Sequence, residues 1–180
     1  MDEHKRSVVK EIIGWVIAIA VAILAARIIN EKVIIKAEVP TGSMENTIMT
    51  GDCVLGFQLA YLFSDPKRGD IVIFPWPDNP EITYVKRIIG LPGETLEIKD
   101  GAVYINGKAL QEDYLKEEMI GTYGPYEVPE GCYFMMGDNR NPSSDSRKWK
   151  NTFLKGEDII AKVIFRYSPN FTWYSGVKYD

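Results

Sequence analysis

The sequence predicts an all-β domain of antiparallel sheets preceded by one N-terminal transmembrane helix. Three observations carry that expectation. Residues 12–29 are almost wholly apolar and show no polar face. Beyond Asn30 the chain turns to short β-branched runs punctuated by Gly-Asp pairs at Gly51-Asp52, Gly69-Asp70 and Gly137-Asp138. Asp100-Gly101, set between Leu96/Ile98 and Val103/Ile105, is the signature of a type I′ hairpin.

As a helix, residues 12–29 extend about 27 Å, close to the hydrocarbon thickness of a bilayer. Arg27 lies near one end, where its side chain can snorkel to the interface. Lys5, Arg6 and Lys10 precede the run, so the positive-inside rule puts residues 1–11 in the cytoplasm and the rest outside. A cleaved signal peptide fits less well. Ala18, Ala20 and Ala22 fall in mid-core, and Ala26 has Leu24 two residues before it, a poor cleavage site. A buried core helix would carry a polar face, which is lacking.

The strands follow in order. Residues 32–39 are β-branched and read as extended. Residues 54–57 and 70–74 are short buried strands, and residues 82–89 form a longer one. Leu91-Pro92-Gly93-Glu94 reads as a type II turn, and Asn106-Gly107 begins another turn after the hairpin. Residues 132–136 and 159–167 complete the set. Phe74, Pro75, Trp76 and Pro77 read as an apolar loop, suited equally to dipping into a bilayer or to core packing.

Composition narrows the function. A net charge of −4 over 180 residues, with no dominant basic patch, argues against nucleic acid as a partner. Cys53 and Cys132 match no zinc pattern and read as two partly buried thiols or one disulfide. No metal or cofactor is implied.

Ser43, in Pro40-Thr41-Gly42-Ser43-Met44, follows a proline that constrains the chain and a glycine that permits a tight turn. Such a serine is a candidate nucleophile, although serine beside glycine is commonly only a turn. Histidine is the usual activator, but the only histidine, His4, precedes the apolar run and would lie across the membrane. Lys86 offers another base. Strand period puts Ile82, Tyr84, Lys86 and Ile88 on one face and turns Arg87 the other way. A lysine among apolar neighbours is desolvated, which lowers its pKa, and a lowering of about two pH units takes roughly 2.7 kcal/mol. The competing reading is a lysine that snorkels to solvent at a strand edge.

A third element is the polar run from Gly137 through Asp138, Asn139 and Arg140 to Ser143, Asp145 and Arg147. It is either a solvated turn or a loop whose Asp–Arg pairs fix its shape while a serine hydroxyl orients the lysine amine.

Together these elements resemble the bacterial type I signal peptidases. The resemblance is carried by Pro40-Thr41-Gly42-Ser43-Met44, Arg68-Gly69-Asp70-Ile71-Val72, the stretch from Tyr84-Val85-Lys86-Arg87 to Leu91-Pro92-Gly93, and Gly137-Asp138-Asn139-Arg140 continuing to Asp145-Ser146-Arg147. It runs from the apolar run to about Arg166, and the single anchor and short chain are similar to the Gram-positive form. The resemblance implies Ser43 as nucleophile, Lys86 as general base, Thr41 as an oxyanion donor beside the Ser43 N–H, and Ser143 as the group orienting the lysine. It implies that Asp138, Asp145 and Arg147 shape the active site. Asn46, Gln58 and Lys150 depart from the family pattern, where proline, lysine and glycine are common.

The implied organisation is a cytoplasmic segment 1–11, an anchor 12–29, a catalytic β core 30–94 and 129–180, and a small inserted β lobe 95–128. The implied partners are signal peptides of secretory preproteins, the lipid bilayer and the nearby export machinery. The implied activity is cleavage of those peptides on the extracytoplasmic face of the cell membrane, after small side chains at the first and third positions before the cut. Two rivals remain: an anchored β module without activity, and a self-cleaving repressor-type protein, which would need a DNA-binding domain.

Overall fold

The computed structural model describes residues 3–174, 176, 177 and 179, and of residues 3–7 and 9 the backbone alone. The expectation about the His4 side chain therefore lies outside the described residues. The chain forms two units, Met1–Ile34 and Ile35–Asp180.

The first unit is α1, Glu3–Lys32. Its Lys10–Lys32 stretch is long and apolar enough to cross a membrane. Trp15, Val16 and Leu24 are exposed within it, as a lipid-facing helix requires. At 30 residues α1 is longer than the apolar run. Hydropathy marks where lipid contact is favourable, whereas the charged residues before it are good helix formers and continue the backbone ladder. The helix also takes Lys32, which the sequence reading had placed in a strand.

The second unit is all-β. Its main sheet begins with β1 (Ile34–Glu38) and β2 (Cys53–Phe57). It continues through β3 (Ile71–Trp76) and the twelve-residue β4 (Asn79–Gly90). A four-stranded sheet follows, made of β5 (Thr95–Lys99), β6 (Ala102–Ile105), β7 (Lys108–Ala109) and β8 (Tyr123–Glu127). The chain then returns to the main sheet with β9 (Cys132–Met136), β10 (Leu154–Lys155), β11 (Ala161–Ser168) and β12 (Thr172–Trp173). The order is β1-β2-β11-β3-β4-β9-β10, with β12 paired to β11. The second sheet, order β7-β6-β5-β8, occupies residues 95–127.

The turn chemistry explains the hairpins. Asp100 and Gly101 have φ of 52° and 76°, and Asn106 and Gly107 have 50° and 79°, as I′ turns demand. Gly93 has φ 77° and the Glu94 N–H donates to the Leu91 carbonyl, which makes the type II turn.

Strand β3 shows how the core is divided. Ile71 and Ile73 pack with Met44, Ile48 and Val54, while Val72 and Phe74 pack with Ile88, Met135 and Trp149. Both faces are covered, so the strand is apolar throughout. This corrects one expectation. Residues 74–76 continue β3 rather than forming a loop, and Phe74 is fully buried. Trp76 stacks on Tyr84 with ring centroids 5.5 Å apart, so this stretch packs against the sheet. Cys53 and Cys132 are free and half-buried.

Candidate active site

Registry brings the three sequence elements together. In the β3–β4 hairpin Lys86 lies opposite Val72, and in the β4–β9 pair Arg87 lies opposite Met136. The chain leaving β9 therefore enters the 137–147 loop beside Lys86 and Arg87. Ser43 sits in a single 3₁₀ turn, Gly42–Met44, that follows β1. Met44 is fully buried beneath it and holds the turn against the core.

Lys86 Nζ and Ser43 Oγ are 2.6 Å apart, with the ammonium donating. Once the amine is neutral the hydroxyl becomes the donor. Ser43 is 8% and Lys86 4% exposed, so both are shielded from bulk water. Burial pushes Lys86 down to about 8, against the carboxylates of Asp145 and Asp138, which favour its charged form. The snorkelling alternative is thereby removed. The Thr41 hydroxyl lies 3.5 Å from Ser43 Oγ.

Ser143 differs from the expectation. It is fully buried, and its hydroxyl has no hydrogen-bond partner among the described residues. The second bond of the Lys86 amine goes instead to the Val85 carbonyl at 3.2 Å, because the side chain folds back along its own strand.

The polar loop is not a solvated turn. Asp138, Arg140 and Asp145 are fully buried, and two-pronged arginine–carboxylate pairs hold the loop. Arg147 Nε and Nη2 each donate to Asp145 at 2.8 Å, the expected pair. Arg87 Nε and Nη2 donate to Asp138 at 2.8 and 2.6 Å, and the Thr47 hydroxyl donates to the same carboxylate. Arg140 donates to Glu112 at 2.9 and 2.5 Å, tying the loop to the segment between β7 and β8. Burying so many charges is tolerable only because each is paired, and removing one partner costs about 3–5 kcal/mol.

Sequence reasoning missed several participants. Arg87 was expected merely to face away from Lys86, and Glu112 and Thr47 were not singled out. Asn139 was quoted only within its motif, yet its backbone N–H donates to the Ser43 carbonyl at 3.1 Å and its Nδ2 to the Gly42 carbonyl at 2.9 Å. Gly137 has a steric reason: a Cβ there would run into the Ser43 carbonyl oxygen and stand 2.5 Å from Ser143 Oγ. Asn46, where the family favours proline, has φ 85°, which proline cannot adopt, and its side chain donates to the Tyr114 carbonyl at 2.9 Å.

A cleft of ≈ 660 Å³ opens onto Ser43 and Lys86. Its lining includes residues from Ala37 to Ser43 and from Ile82 to Lys86, together with Lys116, Asn139 and Ser144. No group of His, Cys, Asp and Glu able to hold a metal occurs among the described residues.

The model of the signal peptidase family, peptidase S26, matches residues 12–168. The chain belongs to that family. Signal peptidase I of Bacillus licheniformis is 40% identical over 158 residues, covering 82% of this chain and 84% of that protein. Signal peptidase I S of Bacillus subtilis is 35% identical over 180 residues, covering 94% and 96%. A longer cyanobacterial relative, named "Probable signal peptidase I-2" in Synechocystis sp., is 38% identical over 136 residues, which is 73% of this chain and 62% of that protein. As a signal peptidase the chain is a serine endopeptidase of the Ser/Lys kind, acting on preproteins that carry signal peptides. Neither the inactive module nor the repressor-type rival has support.

Proposed function

We propose that Ser43 is the nucleophile and Lys86 the general base of this signal peptidase. The observation that carries the assignment is the 2.6 Å approach of a buried lysine amine to a buried serine hydroxyl. Ser43 Oγ attacks the scissile carbonyl as its proton passes to neutral Lys86, which then protonates the leaving amine. Water, deprotonated by the same amine, releases the acyl group. The Ser43 N–H and the Thr41 hydroxyl stabilise the oxyanion, each worth about 3 kcal/mol by comparison with other hydrolases. The buried forks from Asp138 and Asp145 keep the loop rigid around the base, and Ser143 remains assigned to the lysine's surroundings by resemblance. Both lining stretches of the cleft include extended backbone, so a bound peptide in extended form can add main-chain hydrogen bonds.

Residues 12–29, within the apolar Lys10–Lys32 stretch, anchor the enzyme, with residues 1–11 cytoplasmic and the β unit on the extracytoplasmic face beside the export machinery. Lys5, Arg6 and Lys10 support that orientation. Holding enzyme and preprotein on one bilayer surface raises their effective concentration.

The test is cleavage by the full chain in detergent micelles. A preprotein with alanine at the first and third positions before the cut is processed at that single bond, and replacing either alanine by a bulky residue suppresses cleavage. Uncut preprotein under conditions where the enzyme is folded overturns the proposal.

Lys86 also fixes the pH dependence. The amine must be neutral to accept a proton, so kcat/KM is low below about 8, rises through that value and levels off above it. A limb near 6.5, or one near the ordinary lysine value of about 10.4, would assign the base elsewhere. The same group binds a proton more readily in the unfolded chain than in the folded one. Its contribution to stability therefore grows as pH rises from about 8 to 10.5.

A further inference from the structure

Asn139 lines the cleft and is 4% exposed, yet the dyad chemistry gives it no task. Its contacts all fall on one short stretch of backbone. Nδ2 donates to the Gly42 carbonyl at 2.9 Å, and the Asn139 N–H donates to the Ser43 carbonyl at 3.1 Å. Its Oδ1 is buried with no partner among the described residues. The Gly42 carbonyl accepts and never donates, so the amide cannot be turned over to satisfy that oxygen without losing the bond to Gly42.

A trans peptide is planar, with its C=O and N–H pointing in opposite directions. The Gly42 carbonyl and the Ser43 N–H are the two ends of one such unit. We infer that Asn139 is a positioning residue for the oxyanion hole, which by gripping the Gly42 carbonyl aims the Ser43 N–H at the place where the oxyanion forms. The inference rests on the assignment of Ser43 as nucleophile and its N–H as oxyanion donor.

Two features separate this task from packing. The Gly42 carbonyl already accepts the Glu45 N–H at 3.1 Å within the 3₁₀ turn, so it needs no second donor to be satisfied. Asn139 also leaves a buried acceptor unpaired, a cost that calls for an explanation of its own. The grip acts on direction and on strength. Hydrogen bonds weaken steeply as donor and acceptor fall out of line, so a rotated peptide loses its hold on the oxyanion. A donor at the carbonyl end polarises the amide and makes the opposite N–H a better donor.

The test uses the full chain in detergent with Asn139→Ser, which is too short to reach Gly42, and Asn139→Asp, which has no donor. Expected is a fall in kcat of about 10–100-fold with KM within about twofold, because the aimed N–H matters most to the charged transition state. A substrate-matched peptide aldehyde gives a second readout. Ser43 Oγ adds to the aldehyde carbon, its proton passes to Lys86, and the carbonyl oxygen becomes the oxyanion. Its inhibition constant rises by a similar factor, while the product peptide, which forms no tetrahedral oxyanion, binds as before and the pH limb near 8 stays in place. Asn139→Ser that melts like the wild type and keeps both kcat and aldehyde affinity overturns the inference. So does equal weakening of aldehyde and product peptide, which is what loss of packing alone produces. An active Ser43→Ala, or an aldehyde that does not bond to Ser43, instead removes the assignment beneath it, whatever the Asn139 variants do.

Discussion

Ser43→Ala and Lys86→Ala are each expected to reduce cleavage to background in detergent, with the double variant no slower than either alone. The two groups form one proton-transfer unit 2.6 Å across, so removing either half leaves nothing for the other to contribute. Stability separates the two. Ser43→Ala deletes one hydroxyl and melts close to the wild type. Lys86→Ala removes a buried amine and leaves space beneath Tyr84, whose ring lies 5.0 Å from Nζ. Lys86→Met fills that space without a base. It is expected to be inactive yet at least as stable as the wild type near neutral pH, because burial disfavours the charged amine by about 3 kcal/mol. Single-turnover assays with melting curves on the same samples check this. Substantial cleavage by either alanine variant would falsify the dyad.

Gly137→Ala is expected to be nearly as damaging, for a steric reason. The added methyl meets the Ser43 carbonyl oxygen and Ser143 Oγ, and neither is the free end of a flexible chain. Overpacking of this kind costs about 1–3 kcal/mol, which a domain with about 5–15 kcal/mol of stability survives. The turn bearing Ser43 does not survive it in place. A displacement of about 1 Å at the reacting atoms is enough for a loss of about 100-fold. The variant therefore folds, melts a few degrees lower and loses at least about 100-fold in kcat/KM. Wild-type kinetics would show that the turn yields without consequence.

The two residues proposed to react, which the structure brings within 2.6 Å of each other, were legible in the sequence because their signals are local: Pro-x-Gly before Ser43, and a charged residue set into an apolar strand at Lys86. The Asp-Gly and Asn-Gly hairpins were legible for the same reason, since a two-residue turn is written in its own two residues. The forks that hold the site were not. Arg87 finds Asp138 across 51 positions and Arg140 finds Glu112 across 28, and such choices depend on strand register. The apolar stretch 74–77 misled because a strand buried on both faces and a greasy loop look alike when a proline interrupts them. Asn139 was hidden because its work is done on carbonyls of the main chain, which every residue carries.

The order of strands in the main sheet also bears on when the enzyme can first act. Ser43 lies between β1 and β2, while Lys86 belongs to the block β3-β4-β9-β10. Strand β11, Ala161–Ser168, hydrogen-bonds to β2 on one side and β3 on the other, and no other described strand joins the two blocks. A growing chain that has not yet delivered β11 therefore has two half-sheets with open edges, nucleophile on one and base on the other. A chain truncated before Ala161 is therefore expected to show no cleavage in detergent, because the strand that joins the two half-sheets is missing.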